Sequence, residues 1–173
     1  MTHMMGHELG NEEVQNIVDS WENESAKRGA NYMLDKYGIP QEATYVRLIW
    51  HDARPWKRIM VINEAIPHDF PDSHTDDLYQ VIPYNVVPEK ASELLEFDQS
   101  VIVDPLKQEL GSRCEIEGAN FITTNLCNEI INNRMNIQEA KEFFREAKLE
   151  GKNQDWMEKL MFEPDYSLER QAA

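Results

Sequence analysis

The chain reads as an α+β fold: a small antiparallel sheet built from hairpins, packed against helices from the N- and C-terminal thirds. Three observations predict it. Apolar residues recur at helical spacing near both ends of the chain, whereas residues 44–51 and 56–63 are strand-like, with clear alternation over 44–51. Gly and Pro punctuate these segments and leave no linker long enough to divide them. Finally, 173 residues with 41% hydrophobic side chains suffice for one domain with its own core.

In chain order, residues 1–11 carry Gly6, Gly10 and scattered polar groups and are expected to be flexible. A free amine with His3 offers Cu²⁺ nitrogen ligands there, but a loose end is the simpler reading. From Glu12, the residues Val14, Ile17, Val18 and Trp21 share a helical face that Ala26, Ala30, Met33, Leu34 and Tyr37 continue. Gly29 is where that helix is expected to bend or split. Gly38 and Pro40 stop it.

In 44–51, Val46, Leu48 and Trp50 line one face and Tyr45, Arg47, Ile49 and His51 the other. Pro55 makes the following linker turn-like, so 44–63 is expected to be a hairpin. Pro67 and Pro71 then hold a loop over 64–71, and Ser73-x-x-Asp76 reads as the cap of a short helix carrying Leu78, Val81 and Ile82. Pro88 opens a helix to about Phe97 that buries Ala91, Leu94 and Leu95. Residues 100–104 and 108–116 form a second strand pair around Asp104-Pro105.

The last third is helical. Ala119, Ile122, Leu126 and Ile130 make a core stripe over 117–132, with Asn125, Asn128 and Asn132 on the solvent face. Asn136-x-x-Glu139 caps a helix whose inner face is Ile137, Ala140, Phe144 and Ala147. Gly151 separates a final short helix with Trp156, Leu160 and Met161. The expected organisation is one domain over 12–163 with a flexible tail over 164–173.

The net charge of −15 is spread along the chain and opposes binding to nucleic acid or to an anionic membrane surface. The longest unbroken apolar run, Ile59 to Ile62, is far short of a membrane span. No basic region followed by an apolar run opens the chain, and Cys114 and Cys127 form no C-x-x-C pair. Cys127 falls on an apolar helix face, where a thiol acts as a small hydrophobe. These features point to a reducing, cytoplasmic compartment.

No catalytic motif with known mechanics occurs, so whether the chain is an enzyme stays open. The first functional reading is a small acidic binding or interaction domain whose partner is another protein or a second copy, a homodimer. Trp50, Trp56 or Trp156 would supply the contact.

The second reading is a metal-dependent hydrolase or oxygenase. His51, His68 and His74, with a carboxylate such as Asp69, Asp72 or Asp77, supply the donor types that suit Zn²⁺ or Fe²⁺. The bland alternative is that Asp72, Asp76 and Asp77 serve a helix N-terminus. The third reading is a small-molecule anion site built by Arg47, Arg54, Arg58 and Trp56. Its bland alternative is that Trp50 and Trp56 are core while the arginines neutralise the protein's own acids.

Overall fold

In the computed structural model, which describes residues 9–172, both strand pairs join one six-stranded antiparallel sheet. The strands are β1 (Glu42–Ala43), β2 (Arg47–His51), β3 (Arg58–His68), β4 (His74–Pro83), β5 (Val101–Asp104) and β6 (Glu109–Cys114), in spatial order β1-β2-β3-β4-β6-β5. The helices are α1 (Asn11–Asp19), α2 (Glu24–Tyr37), α3 (Ala91–Phe97), α4 (Glu117–Ile131) and α5 (Ile137–Glu150). The fold is therefore α+β, as the alternation of patterns predicts. The N-terminal copper site and most of the expected flexible end fall in residues 1–8, outside the described residues.

The sheet's helix-covered face follows from alternation. Leu48 and Trp50 of β2 stand opposite Val61 and Ile59 of β3, and all four are buried. Gln80 of β4 contacts Met33 of α2 and both Glu117 and Asn120 of α4, so these two helices lie on the same side. α5 packs outside them, against α3 and α4.

Two local expectations are corrected. The N-terminal helix breaks at residues 20–23 rather than at Gly29, because the Asn23 side chain accepts from Ser25 N (3.0 Å) and starts a new helix there. Gly29 lies inside α2, where a Cβ would stand 3.3 Å from Asp77 Oδ1, so glycine lets the helix close on β4.

The larger correction concerns residues 64–83. Residues 64–68 end β3 and residues 74–83 form β4, so the loop shrinks to 69–73 and the expected helix is a strand. β4 is a central strand, and from Asp76 to Pro83 every residue but Tyr79 is buried. Burial on both faces erases the alternation by which a strand is read. Ser73 caps no helix; its hydroxyl donates to Asp69 Oδ1 at 2.6 Å inside the hairpin loop. Pro67 is tolerated because β2 pairs only with residues 58–62 of β3, which leaves one side of the strand unpaired at residue 67.

Further along the chain, α5 carries the capping box expected of Asn136 and Glu139. Asn125 and Asn128 are buried, contrary to the solvent face expected of them. Asn125 donates to the carbonyls of Trp156 (3.0 Å) and Lys159 (2.9 Å) and accepts from Met161 N (2.7 Å), so it fastens the segment after α5 onto α4. Residues beyond 163 also make specific contacts: Tyr166 donates to Pro55 O (3.0 Å), and Glu169 accepts two bonds from Arg54 (2.9 and 2.8 Å).

Candidate metal centre

The β3–β4 hairpin ends in a five-residue loop, residues 69–73, so that His68 and His74 are directly opposite cross-strand partners. His74 and Asp76 lie two residues apart on β4 and share a face. His68 reaches that face because of an irregularity in β3. Val61 pairs with Leu78, yet Ile66 pairs with Asp76, so residues 62–65 stand opposite Asp77 alone. The extra residues shift the strand's parity: odd-numbered Ile59 and Val61 face the helices before the bulge, and even-numbered His68 does so after it. Phe70 seats the loop by packing edge-on against Phe97 of α3 (6.2 Å between centroids) and Phe144 of α5 (5.4 Å).

The result is a cluster in which donor atoms of His68, His74 and Asp76 all lie within 4.8 Å of one another. His74 Nε2 is 3.1 Å from Asp76 Oδ1, and His68 Nδ1 is 3.3 Å from Asp76 Oδ2. Ligands around a tetrahedral ion with bonds of about 2.0–2.1 Å are spaced at roughly 3.3 Å. The side chains are 14% (His68), 3% (His74) and 2% (Asp76) exposed, so solvent contributes little. His68 Nδ1 and Asp76 Oδ1 are buried without a hydrogen-bond partner: each has an ionic neighbour in reach but misaligned for a hydrogen bond. Asp98 Oδ2 is likewise unpartnered.

Each imidazole is oriented through its other nitrogen. His74 Nδ1 is 2.8 Å from the Asp72 carbonyl oxygen, which fixes a proton on Nδ1 and turns Nε2 toward Asp76. His68 Nε2 is 3.3 Å from Asp98 Oδ1, at the end of α3. A backbone carbonyl behind one ring and a carboxylate behind the other are the outer partners that metal-bound histidines use. Cys114, at the end of β6, places Sγ 3.5 Å from His74 Nε2 on the flank of the cluster.

The electrostatics fit a site that carries positive charge. The Asp76 carboxylate and then Asp98 raise the His68 pKa to about 9, against the opposing effect of burial. Asp76 and then Cys114 raise His74 to about 10. Burial pushes the Asp76 carboxyl up, but the two imidazoles outweigh it and hold the pKa below its ordinary value. Protons and a metal ion are therefore competing ways to satisfy the same carboxylates.

The other expected ligands do not join. His51 is exposed at the far end of β2, opposite Arg58, with Nε2 3.1 Å from Glu42. Asp69 accepts the Ser73 hydroxyl, and the Asp72 carboxylate pairs with Lys148 (3.1 Å); only the Asp72 backbone serves the site. Asp77 faces Gly29 of α2. Sequence reasoning assigned Asp76 to a helix dipole and overlooked Asp98 and Cys114. The His74-x-Asp76 spacing is the signal that would have found Asp76, had the segment been read as a strand.

The arginines of the β2–β3 hairpin do not converge on a pocket. Arg47 lies 4.0 Å from Glu42, Arg54 forks onto Glu169 and stacks on Tyr166 (3.8 Å), and Arg58 forks onto Glu109 (3.0 and 2.8 Å). Trp56 is fully buried and donates Nε1–H to Glu117 Oε1 (2.8 Å). No protein-family model, curated protein or solved structure matches this chain.

Proposed function

We propose that this protein is a metal-binding domain in which one divalent ion, Zn²⁺ or Fe²⁺, is held by His68, His74 and Asp76. The observation that carries the reading is the buried convergence of two imidazoles and a carboxylate, with both rings oriented from behind. Such an ion ties β3 to β4 at the tip of the longest hairpin, and Asp98 behind His68 links that tip to the end of α3, which favours a structural role. Three protein ligands leave one tetrahedral position; the Cys114 thiol on the flank would fill it and close the site, whereas a hydrolase or oxygenase would need it open to substrate.

The interaction reading loses two of its anchors, because Trp50 and Trp56 are core residues, and Trp156 packs at a tilt against Phe143 (4.6 Å between centroids). A cytoplasmic location is in keeping with two buried, unpaired cysteines. Among the described residues no helix is long and apolar enough to cross a membrane.

The test is metal content by mass spectrometry on untagged protein purified without chelator, beside a His68→Ala/His74→Ala variant. Near-stoichiometric metal in the parent and none in the variant is expected, with chelation lowering the melting temperature of the parent alone. Metal-free protein that gains no thermal stability from added Zn²⁺ or Fe²⁺ would leave the cluster as a set of ion pairs and end the proposal.

A further inference from the structure

The sheet's other face holds a second site that the metal reading does not use. The strands pair so that Met60, Tyr79 and Arg113 form one cross-strand row, and Arg58, Val81, Gly111 and Ile102 the next. Gly111 adds no side chain to its row and tolerates none, since a Cβ there would fall 1.9 Å from the Gln80 carbonyl oxygen. On this face lies a cavity of about 450 Å³, walled by Met60, Val81, Ile102 and, from α3, Leu95. That volume is in the range of small-molecule sites, about 300–1,000 Å³. Tyr79 and Arg113 also line it.

The two arginines bordering this space differ in one respect. Arg58 is saturated by Glu109, which Lys57 also contacts at 3.0 Å. Arg113 has no such partner. Its Nε is buried without a hydrogen bond, and Nη1 reaches only the Tyr79 hydroxyl, at 3.5 Å. Its guanidinium stands 5.4 Å from the Tyr79 ring centre. Among the described residues Arg113 makes no ion pair, in a chain with 32 acids and 17 bases. A guanidinium held partly out of water, in a protein with acids to spare, is here compensated by Tyr79 alone and by no carboxylate.

We propose that this cavity binds an amphipathic carboxylate, such as a medium-chain fatty-acid anion. Its carboxylate meets the planar fork of Arg113 and its chain lies on Met60, Val81, Leu95 and Ile102. The pairing follows from chemistry: a guanidinium presents parallel N–H donors at the spacing of two carboxylate oxygens, and the apolar walls reward a chain rather than a second charge. The protein's overall negative field repels anions, so affinity rests on this local pair together with chain burial.

Isothermal titration calorimetry on the full chain tests this, with decanoate below its micelle concentration as the probe and acetate and decanol as its two halves. Saturable binding of one decanoate is expected, with acetate and decanol each at least tenfold weaker. Arg113→Gln should weaken decanoate at least tenfold. So should Leu95→Asp, a change at a helix position that is half-exposed rather than buried as its sequence pattern predicts, and that reports on the same cavity even if Arg113→Gln does not fold. Absence of saturable decanoate binding, unchanged affinity in a folded variant, or decanol or acetate binding as tightly as decanoate would overturn the proposal.

Discussion

Replacing Glu117 with glutamine tests how four separate elements are pinned on the helical face of the sheet. Glu117 opens α4 and is 3% exposed. Its Oε1 accepts from Tyr37 Oη (2.6 Å) at the end of α2, Trp56 Nε1 (2.8 Å) after the hairpin turn and Gln80 Nε2 (2.9 Å) on β4, while the Lys36 ammonium sits on Oε2. Glutamine conserves the volume. It keeps one oxygen for the first three donors, removes the charge that strengthens them, and turns an amide NH₂ toward Lys36. Hydrogen bonds to a charged group contribute about 1.5–3 kcal/mol and neutral ones about 0.5–1.5 kcal/mol. Losing roughly 1 kcal/mol at each of three donors, plus about 1.5–3 kcal/mol for the Lys36 bond, amounts to about 4.5–6 kcal/mol. Because Lys36 is 40% exposed, solvent replaces part of its share, so the lower half of that range is expected. Urea unfolding at neutral pH, followed by tryptophan fluorescence and by circular dichroism, measures it. A melting temperature lower by roughly 2–4 °C per kcal/mol should accompany the change. A loss below about 1 kcal/mol would refute the reasoning, because the four donors would then be indifferent to the charge they surround.

Two further predictions concern the Glu109 ion pairs and the segment after α5. Burial raises the Glu109 carboxyl pKa, but Arg58 and Lys57 outweigh it and hold the folded value below the ordinary 4.5. Its contribution to stability is therefore present above the unfolded pKa and lost as pH falls through the folded one. The stability difference between the parent and Glu109→Gln should accordingly be largest near neutral pH and shrink in acid; a pH-independent difference would show that the pairing adds nothing. Asn125→Ala removes three bonds worth about 1 kcal/mol each, whereas Asn132→Ala removes bonds made on the helix's own surface. Hydrogen exchange should accelerate over residues 153–162 in the first variant only, and equal protection in both would remove Asn125 from its role as a latch.

Much of the fold was legible because its causes are local. The strand pair around Asp104-Pro105, the stop at Gly38 and the Asn136–Glu139 capping box depend on neighbouring residues and survive in any context that buries one face. Residues 64–83 were not legible in the same way. β4 is buried on both sides, so it lost its period of two, and Ser73-x-x-Asp76 carries a helix-capping signature in a segment whose helix never forms. Intrinsic signals of this size are overridden when tertiary pairing satisfies the backbone more completely.

The sequence by itself determined the class of fold, much of the core and the donor types present: histidines and carboxylates in one window, arginines beside tryptophans in another. Only the tertiary structure decided which of them meet. Four β3 residues opposite a single β4 residue turn His68 onto the face of His74 and Asp76, and the ends of α3 and β6 bring Asp98 and Cys114 to the same cluster from positions remote in sequence. Tertiary pairing likewise assigned an acid to Arg47, Arg54 and Arg58 and none to Arg113 among the described residues. Periodicity records what one residue does to its near neighbours, whereas a site is made by strand register and long-range packing, which no local pattern encodes.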